Sequence, residues 1–159
     1  MAKSIRVGIG KYRYNISGNI TITLGGIEIP NSESENNDPS IDCLIYAVSD
    51  ALLGAAALGG IAQIPDFYEK VESKAVEVVK DVERKVHYEG YAIVNIDSTI
   101  LTSNNVINKY LNRIHENLTS LLFIKPEQLN VKVCPYTDSD SETLKEKIEC
   151  NAVVSLKKR

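Results

Sequence analysis

The ten residues from Asp50 to Gly59, DALLGAAALG, constrain the fold of this chain more than any others. Apart from Asp50 they are all Ala, Leu or Gly, with no β-branched residue, so an α-helix is the conformation they favour. Apolar groups occur nearly all round that helix, which marks it as buried on every side and not as a surface helix with one greasy stripe. It is expected to run from about Ser40 to Leu58. Gly54 and Ala55-Ala56-Ala57 are small, as required where helices or subunits approach closely. A helix of this kind must be covered by further layers, and 159 residues supply one domain able to do so, spanning 1–159.

The covering elements follow from periodicity. Ser4 to Gly8 reads as a strand, and in Ile20 to Leu24 the residues Ile20, Ile22 and Leu24 alternate with Thr21 and Thr23, the period of a half-buried strand. Gly25-Gly26 turns the chain, and Ile27 to Ile29 returns until Pro30 stops the pairing. Asn31 to Pro39 is a polar loop. A surface helix is predicted over Tyr68 to Tyr88, with Val71, Ala75, Val78, Val79, Val82 and Val86 on one stripe. Tyr91 to Leu101 is a strand, Val106 to Phe123 a helix, and Leu129 to Val133 and Glu149 to Leu156 supply the last strands. Strands alternating with helices give an α/β sandwich, one sheet with helices packed against it, and no internal repeat is visible.

Composition excludes several functions. A net charge of −3 exerts no general pull on nucleic acid or anionic membrane, and the basic runs Lys11–Arg13 and Lys157–Arg159 are short. No run of eighteen apolar residues and no apolar leader occur, so neither a membrane span nor a signal peptide is expected. Cys43, Cys134 and Cys150 lack metal-ligand spacing and read as buried, reduced thiols of a cytoplasmic protein. The sequons at Asn15, Asn19 and Asn117 are chance matches in a chain rich in Asn, Ser and Thr.

Motifs for independent chemistry are missing. No P-loop, GxGxxG, HExxH or GxSxG is present, and Gly8-x-Gly10 alone is too weak for a dinucleotide site. Asp50, inside the apolar helix, has two readings, a buried hydrogen-bonded structural carboxylate or a general base, with the first favoured. Asp42 has the same two, with an exposed carboxylate at the helix start favoured. Asp97 and Lys132 read as scaffold contacts.

DALLGAAALG, with Gly8 and Gly10, Gly25-Gly26, Ile29-Pro30, Gly90-Tyr91, Asn95-x-Asp97, Asn130-Val131-Lys132 and Cys150, resembles the 2-C-methyl-D-erythritol 2,4-cyclodiphosphate synthase family. The resemblance runs without a gap from Arg6 to about Ala62 and from Gly90 to Leu156, and the stretch between is slightly shorter here. It implies a mixed sheet with helices on one face and a homotrimer around an apolar channel, with an active site at each subunit boundary. Asp50, Gly54, Gly59, Asp97 and Lys132 are then structural positions.

The same resemblance implies that the chemistry is gone. The family's metal ligands, an Asp and two His, fall on Tyr12, Tyr14 and Tyr46; three phenols with an ordinary pKa near ~10 make a poor site for Zn²⁺. The three rings are expected to converge and fill the space of the ion. The phosphate-contacting His-Ser pair falls on Asp38-Pro39, and the threonine-rich loop on Cys134-Pro135-Tyr136-Thr137, with Asp138 beside it in a solvated turn. The nucleotide segment falls on Thr102 to Val106, the ribose-holding Asp on Gly60, and the channel Arg on Leu144, near Glu146. No metal, cofactor or catalytic residue is therefore expected. Two classes compete: a trimeric scaffold or ligand-binding or regulatory protein, and a divergent cyclodiphosphate synthase releasing CMP or another enzyme reusing the inter-subunit cleft. Lys11, Arg13, Asp38, Tyr46 and Tyr136 are the candidate binding residues for a small anionic or isoprenoid-like ligand, and an active paralogue is a third kind of partner.

Overall fold

Two glycines fix where the central helix lies. In the computed structural model, which describes residues 4–15, 21–30, 41–67, 74–135 and 147–159, strand β1 (Ile5–Asn15) passes directly beneath helix α1 (Cys43–Ala55). A Cβ on Gly8 would stand 2.0 Å from the Ala51 carbonyl oxygen, and one on Gly10 would stand 2.0 Å from that of Ala47. Only glycine permits that approach. The strand is longer than the expected Ser4 to Gly8 because β6 (Lys147–Lys158) pairs with it antiparallel along its whole length, from Ile5 opposite Lys157 to Asn15 opposite Lys147.

The main sheet has four strands in the order β1-β6-β4-β5, where β4 is Tyr91–Leu101 and β5 is Leu129–Cys134. β4 is antiparallel to β6 and parallel to β5, so the sheet is mixed. β2 (Ile22–Leu24) and β3 (Ile27–Ile29) form a separate two-stranded hairpin around Gly25-Gly26, both at positive φ. Helix α2 (Ala75–Tyr88) buries the predicted stripe Val78, Val79, Val82 and Val86. Helix α3 (Leu111–Leu121) is shorter than predicted, because Asn105–Tyr110 is a 3₁₀ turn whose start is capped by the Asn104 side chain on the Val106 N–H, at 3.0 Å. The expected helix starts at Ser40 and Tyr68 lie outside the described residues, and α1 begins only after Asp42.

One face of the sheet carries the core: Ile148, Cys150, Ala152, Val154 and Leu156 of β6 and Ile93, Ile96 and Ile100 of β4 are buried with α1. The other face is open. Among the described residues, α1, α2 and α3 each end in a left-handed residue, Ala57 (φ 59°), Gly90 (φ 79°) and Phe123 (φ 53°), which lets the chain turn back while satisfying terminal carbonyls. In α1 the Leu58 N–H donates to Leu53 O at 2.9 Å, and after α3 the Ile124 N–H donates to Thr119 O at 3.1 Å. The Arg6 guanidinium adds a donor to Ala55 O at the end of α1. Gly54 departs from expectation: it is exposed, and a Cβ there meets nothing within 4 Å, so no packing inside the chain requires it to be small.

Candidate functional site

The start of α1 gathers the most chemistry. Asp42 is the N-cap, its Oδ1 accepting from Ile45 N–H at 3.0 Å as expected of a helix-start carboxylate. It is buried, not exposed, which corrects the sequence reading. The β2–β3 turn folds over it, and Gly25 N–H donates to Oδ1 at 3.0 Å while Gly26 N–H donates to Oδ2 at 2.7 Å. Both glycines hold positive φ, so the turn can aim successive N–H groups at one carboxylate. Burial pushes the Asp42 carboxyl up to about 6, outweighing the backbone donors of Ile45, Gly26 and Gly25 that favour the charge.

One turn further on, Tyr46 is completely buried. Its ring packs on Tyr12 with centroids 5.2 Å apart, and meets Phe67 edge-on at 5.3 Å. Tyr14 lies two residues beyond Tyr12 on the same face of β1, partly buried against the core. Phe67 is the ring that sequence reasoning missed: it follows the α1 loop at Pro65-Asp66 and carries no periodic signal. Burial, with Tyr12 and Asp42 nearby, pushes the Tyr46 phenol well above its ordinary range, so the group stays neutral. Within the single copy Tyr46 is wholly enclosed.

Lys11 and Arg13 point to the open face of the sheet, where both reach Glu149, at 2.8 Å and 3.9 Å. Asp38 and Tyr136, the other binding candidates, lie outside the described residues, as do Pro39, Thr137, Asp138, Leu144 and Glu146. Asp50 accepts a hydrogen bond from Ile61 N–H at 2.8 Å and so ties α1 to the loop behind it. Gly59 in that loop has φ 84°, and a Cβ there would press 2.5 Å from Gln63 Oε1. Asp97 receives Lys132 Nζ on both oxygens, at 2.8 Å and 2.7 Å, and Asn130 Nδ2 at 3.0 Å. These contacts hold its carboxyl below the usual range. The two residues are thirty-five apart in sequence, and the parallel register of β4 and β5 brings them together on the open face. Cys43 and Cys150 are buried thiols, whereas Cys134 is exposed, because the alternation along β5 places it on the same face as Lys132.

A model of the YgbB family matches residues 5–157. The chain belongs to that family. It is homologous to 2-C-methyl-D-erythritol 2,4-cyclodiphosphate synthases. The one from Prosthecochloris aestuarii is 36% identical over 133 residues, 80% of this chain and 83% of the relative. That from Alkaliphilus oremlandii is 29% identical over 154 residues, 96% of this chain and 98% of the relative. Among solved structures, the bifunctional IspDF from Campylobacter jejuni superposes with a TM-score of 0.87 at 24% identity, covering 99% of this chain and 43% of that one. The IspF of Plasmodium falciparum, in a CDP complex, gives 0.79 at 22%, covering 100% and 99%. The structural matches establish the shared fold, a mixed sheet with helices on it.

The metal expected in such a family does not fit the residues present. At the positions that the sequence resemblance pairs with its ligands stand Tyr12, Tyr14 and Tyr46, and Tyr46 is a neutral, enclosed phenol packed between two rings. A divalent cation prefers imidazole, thiolate or carboxylate donors. Among the described residues no group of three or more His, Cys, Asp or Glu comes together that could hold a metal. His87 lies at the end of α2, and His115 Nε2 contacts the Pro126 and Leu129 carbonyls at 3.0 Å and 2.9 Å, so neither faces the tyrosines. Among the described residues no helix is long and apolar enough to cross a membrane.

Proposed function

We propose that this protein is a non-catalytic homologue of the isoprenoid-pathway cyclodiphosphate synthases, working as a cytoplasmic homotrimeric scaffold that binds a small anionic or isoprenoid-like ligand at its subunit boundaries. The observation that carries the loss of catalysis is the Tyr12–Tyr46–Phe67 cluster, a packed aromatic core at the position where the chemistry requires a cation. Such a reaction needs a Lewis acid on the diphosphate and donors that position the leaving nucleotide. Tyrosine packing supplies neither. Gly60 likewise offers no carboxylate to a ribose.

Assembly is supported by the open face of the sheet, where Ile5, Val7, Ile9 and Val153 are 63%, 63%, 76% and 46% exposed. Four neighbouring aliphatic side chains on one flat surface are better matched to another protein surface than to water. Lys11 and Arg13 continue that face and place positive charge beside it, moderated by Glu149. Three unpaired thiols suit a reducing, cytoplasmic setting. The test is release of CMP from 4-diphosphocytidyl-2-C-methyl-D-erythritol 2-phosphate by protein purified free of host synthase. No release above background is expected, with or without Zn²⁺ or Mn²⁺, and metal-dependent release would overturn the reading in favour of a divergent lyase.

A further inference from the structure

Among the described residues the two most exposed aromatic side chains, Tyr88 at 88% and Phe123 at 81%, wall a single cleft of about 390 Å³ together with Glu83, Arg84 and His87. The cleft lies at the C-terminal ends of α2 and α3. It is at the opposite end of the sheet from the tyrosine cluster, since Tyr91 at the start of β4 pairs with Lys158 whereas Tyr12 pairs with Cys150.

Phe123 is the informative residue. α2 and α3 end in the same left-handed turn, and α2 uses glycine there, Gly90 at φ 79°. α3 uses Phe123 at φ 53°, a conformation that a bulky side chain adopts at an energetic cost. A phenylalanine in that position would be understandable if its ring completed the core, but the ring stands in solvent. Neither the backbone nor the packing among the described residues asks for it. Tyr88, one residue before the end cap of α2, is equally detached from the core.

Around the rings the charges are mixed. Arg84 pairs with Asp81 at 2.8 Å, His87 Nδ1 is met by the Arg159 guanidinium, and Glu83 lines the cleft as well. A net anion gains little from that set. A planar ring with hydrogen-bond donors and acceptors along its edge matches it: the faces stack on Tyr88 and Phe123, donors reach the Glu83 carboxylate, and acceptors meet Arg84. We infer that the Tyr88–Phe123 cleft is a binding site for a small, uncharged planar heteroaromatic molecule of the purine type, separate from the subunit-boundary cleft.

The probe is 2-aminopurine riboside, whose fluorescence is quenched on stacking and which can be excited selectively because the chain has no tryptophan. Saturable quenching with a dissociation constant below about 1 mM is expected, a typical strength for one stacked ring with a few polar contacts. Phe123→Gly should weaken binding about tenfold or more while leaving thermal stability equal or higher, since it installs the residue the turn favours. Tyr88→Ala should weaken it similarly, and Glu83→Gln should weaken it less. Absence of saturable quenching would overturn the site, as would unchanged affinity in Phe123→Gly. A fall in the melting temperature of Phe123→Gly would show that the ring serves the fold, and would equally end the proposal.

Discussion

The two faces of β1 contrast sharply. Toward α1 the strand presents Gly8 and Gly10, positions where a single methyl group cannot be admitted. Toward the open side, the alternating Ile5, Val7 and Ile9 present large aliphatic groups that touch little. The usual economy of a half-buried strand, large apolar groups inward and polar groups outward, is inverted. The inner face is specified by contacts within the chain, so its residues can be explained from one copy. The outer face has no such explanation in one copy, and its apolar character directs attention to a neighbouring subunit.

The largest effect that would test this contrast is on the inner face. Gly10→Val places a branched side chain where even a Cβ would lie 2.0 Å from Ala47 O and 2.7 Å from Ala51 N. Loss of about 4 kcal/mol or more is expected, read as failure to fold or a collapsed denaturation midpoint. Gly54→Ala is the matched control, since its Cβ meets nothing within 4 Å. It should stabilise the chain by roughly 0.5–1 kcal/mol through helix propensity. A destabilised Gly54→Ala trimer would instead place Gly54 at a subunit contact.

An intermediate effect is expected at Asp42, the junction between hairpin and helix. Asp42→Ala leaves the N–H groups of Gly25, Gly26 and Ile45 without their carboxylate and should cost about 2–3 kcal/mol. The wild-type pH dependence has a definite sign. Burial pushes the folded carboxyl up to about 6 from its ordinary 3.8, so the folded state holds the proton more tightly. The contribution of Asp42 is therefore greatest below about pH 4, declines as pH rises towards 6, and is level above that. Urea denaturation midpoints across that window should show the decline, and Asp42→Asn should remove it. A midpoint that rises through this window, with the rise abolished in Asp42→Asn, would show a lowered pKa instead.

The smallest effect on the chain itself is expected from Ile9→Asp on the outer face, where the side chain stands largely in solvent opposite Val153. Helicity by circular dichroism should be unchanged, whereas the proposed homotrimer should sediment as a monomer because a buried, unpaired carboxylate is costly at an apolar interface. A trimer that survives Ile9→Asp would separate assembly from this face and remove the reason given for its apolar residues.

The 3.6-residue stripe of α2 announced its helix because the signal repeats over several turns, whereas DALLGAAALG is helical only as far as Ala55, short of the expected Leu58, because Ala57 at φ 59° turns the chain out of the helix. Strand β1 was legible only as far as Gly8, since Gly10 and Lys11 are poor strand formers that interrupt the signal, and the rest of the strand is held by pairing with β6. At the candidate site, the sequence showed Tyr12, Tyr14 and Tyr46 at the positions that the resemblance pairs with metal ligands. That Tyr46 would be sealed between Tyr12 and Phe67 was not, because Phe67 is twenty-one positions away along the chain and joins through a loop.

Sequence by itself determined the buried helix, the alternation of strands and helices, and the residue types available for chemistry, because each depends on local conformational preference or on identity. Tertiary structure alone decided that Asp42 is buried under a hairpin turn, that Asp97 meets Lys132 across parallel strands, and that Phe123 occupies a left-handed turn with its ring in solvent. Each of these depends on where separate segments are brought in space. Solvation, hydrogen-bond partners and acidity follow from that placement and leave no periodic mark in the chain.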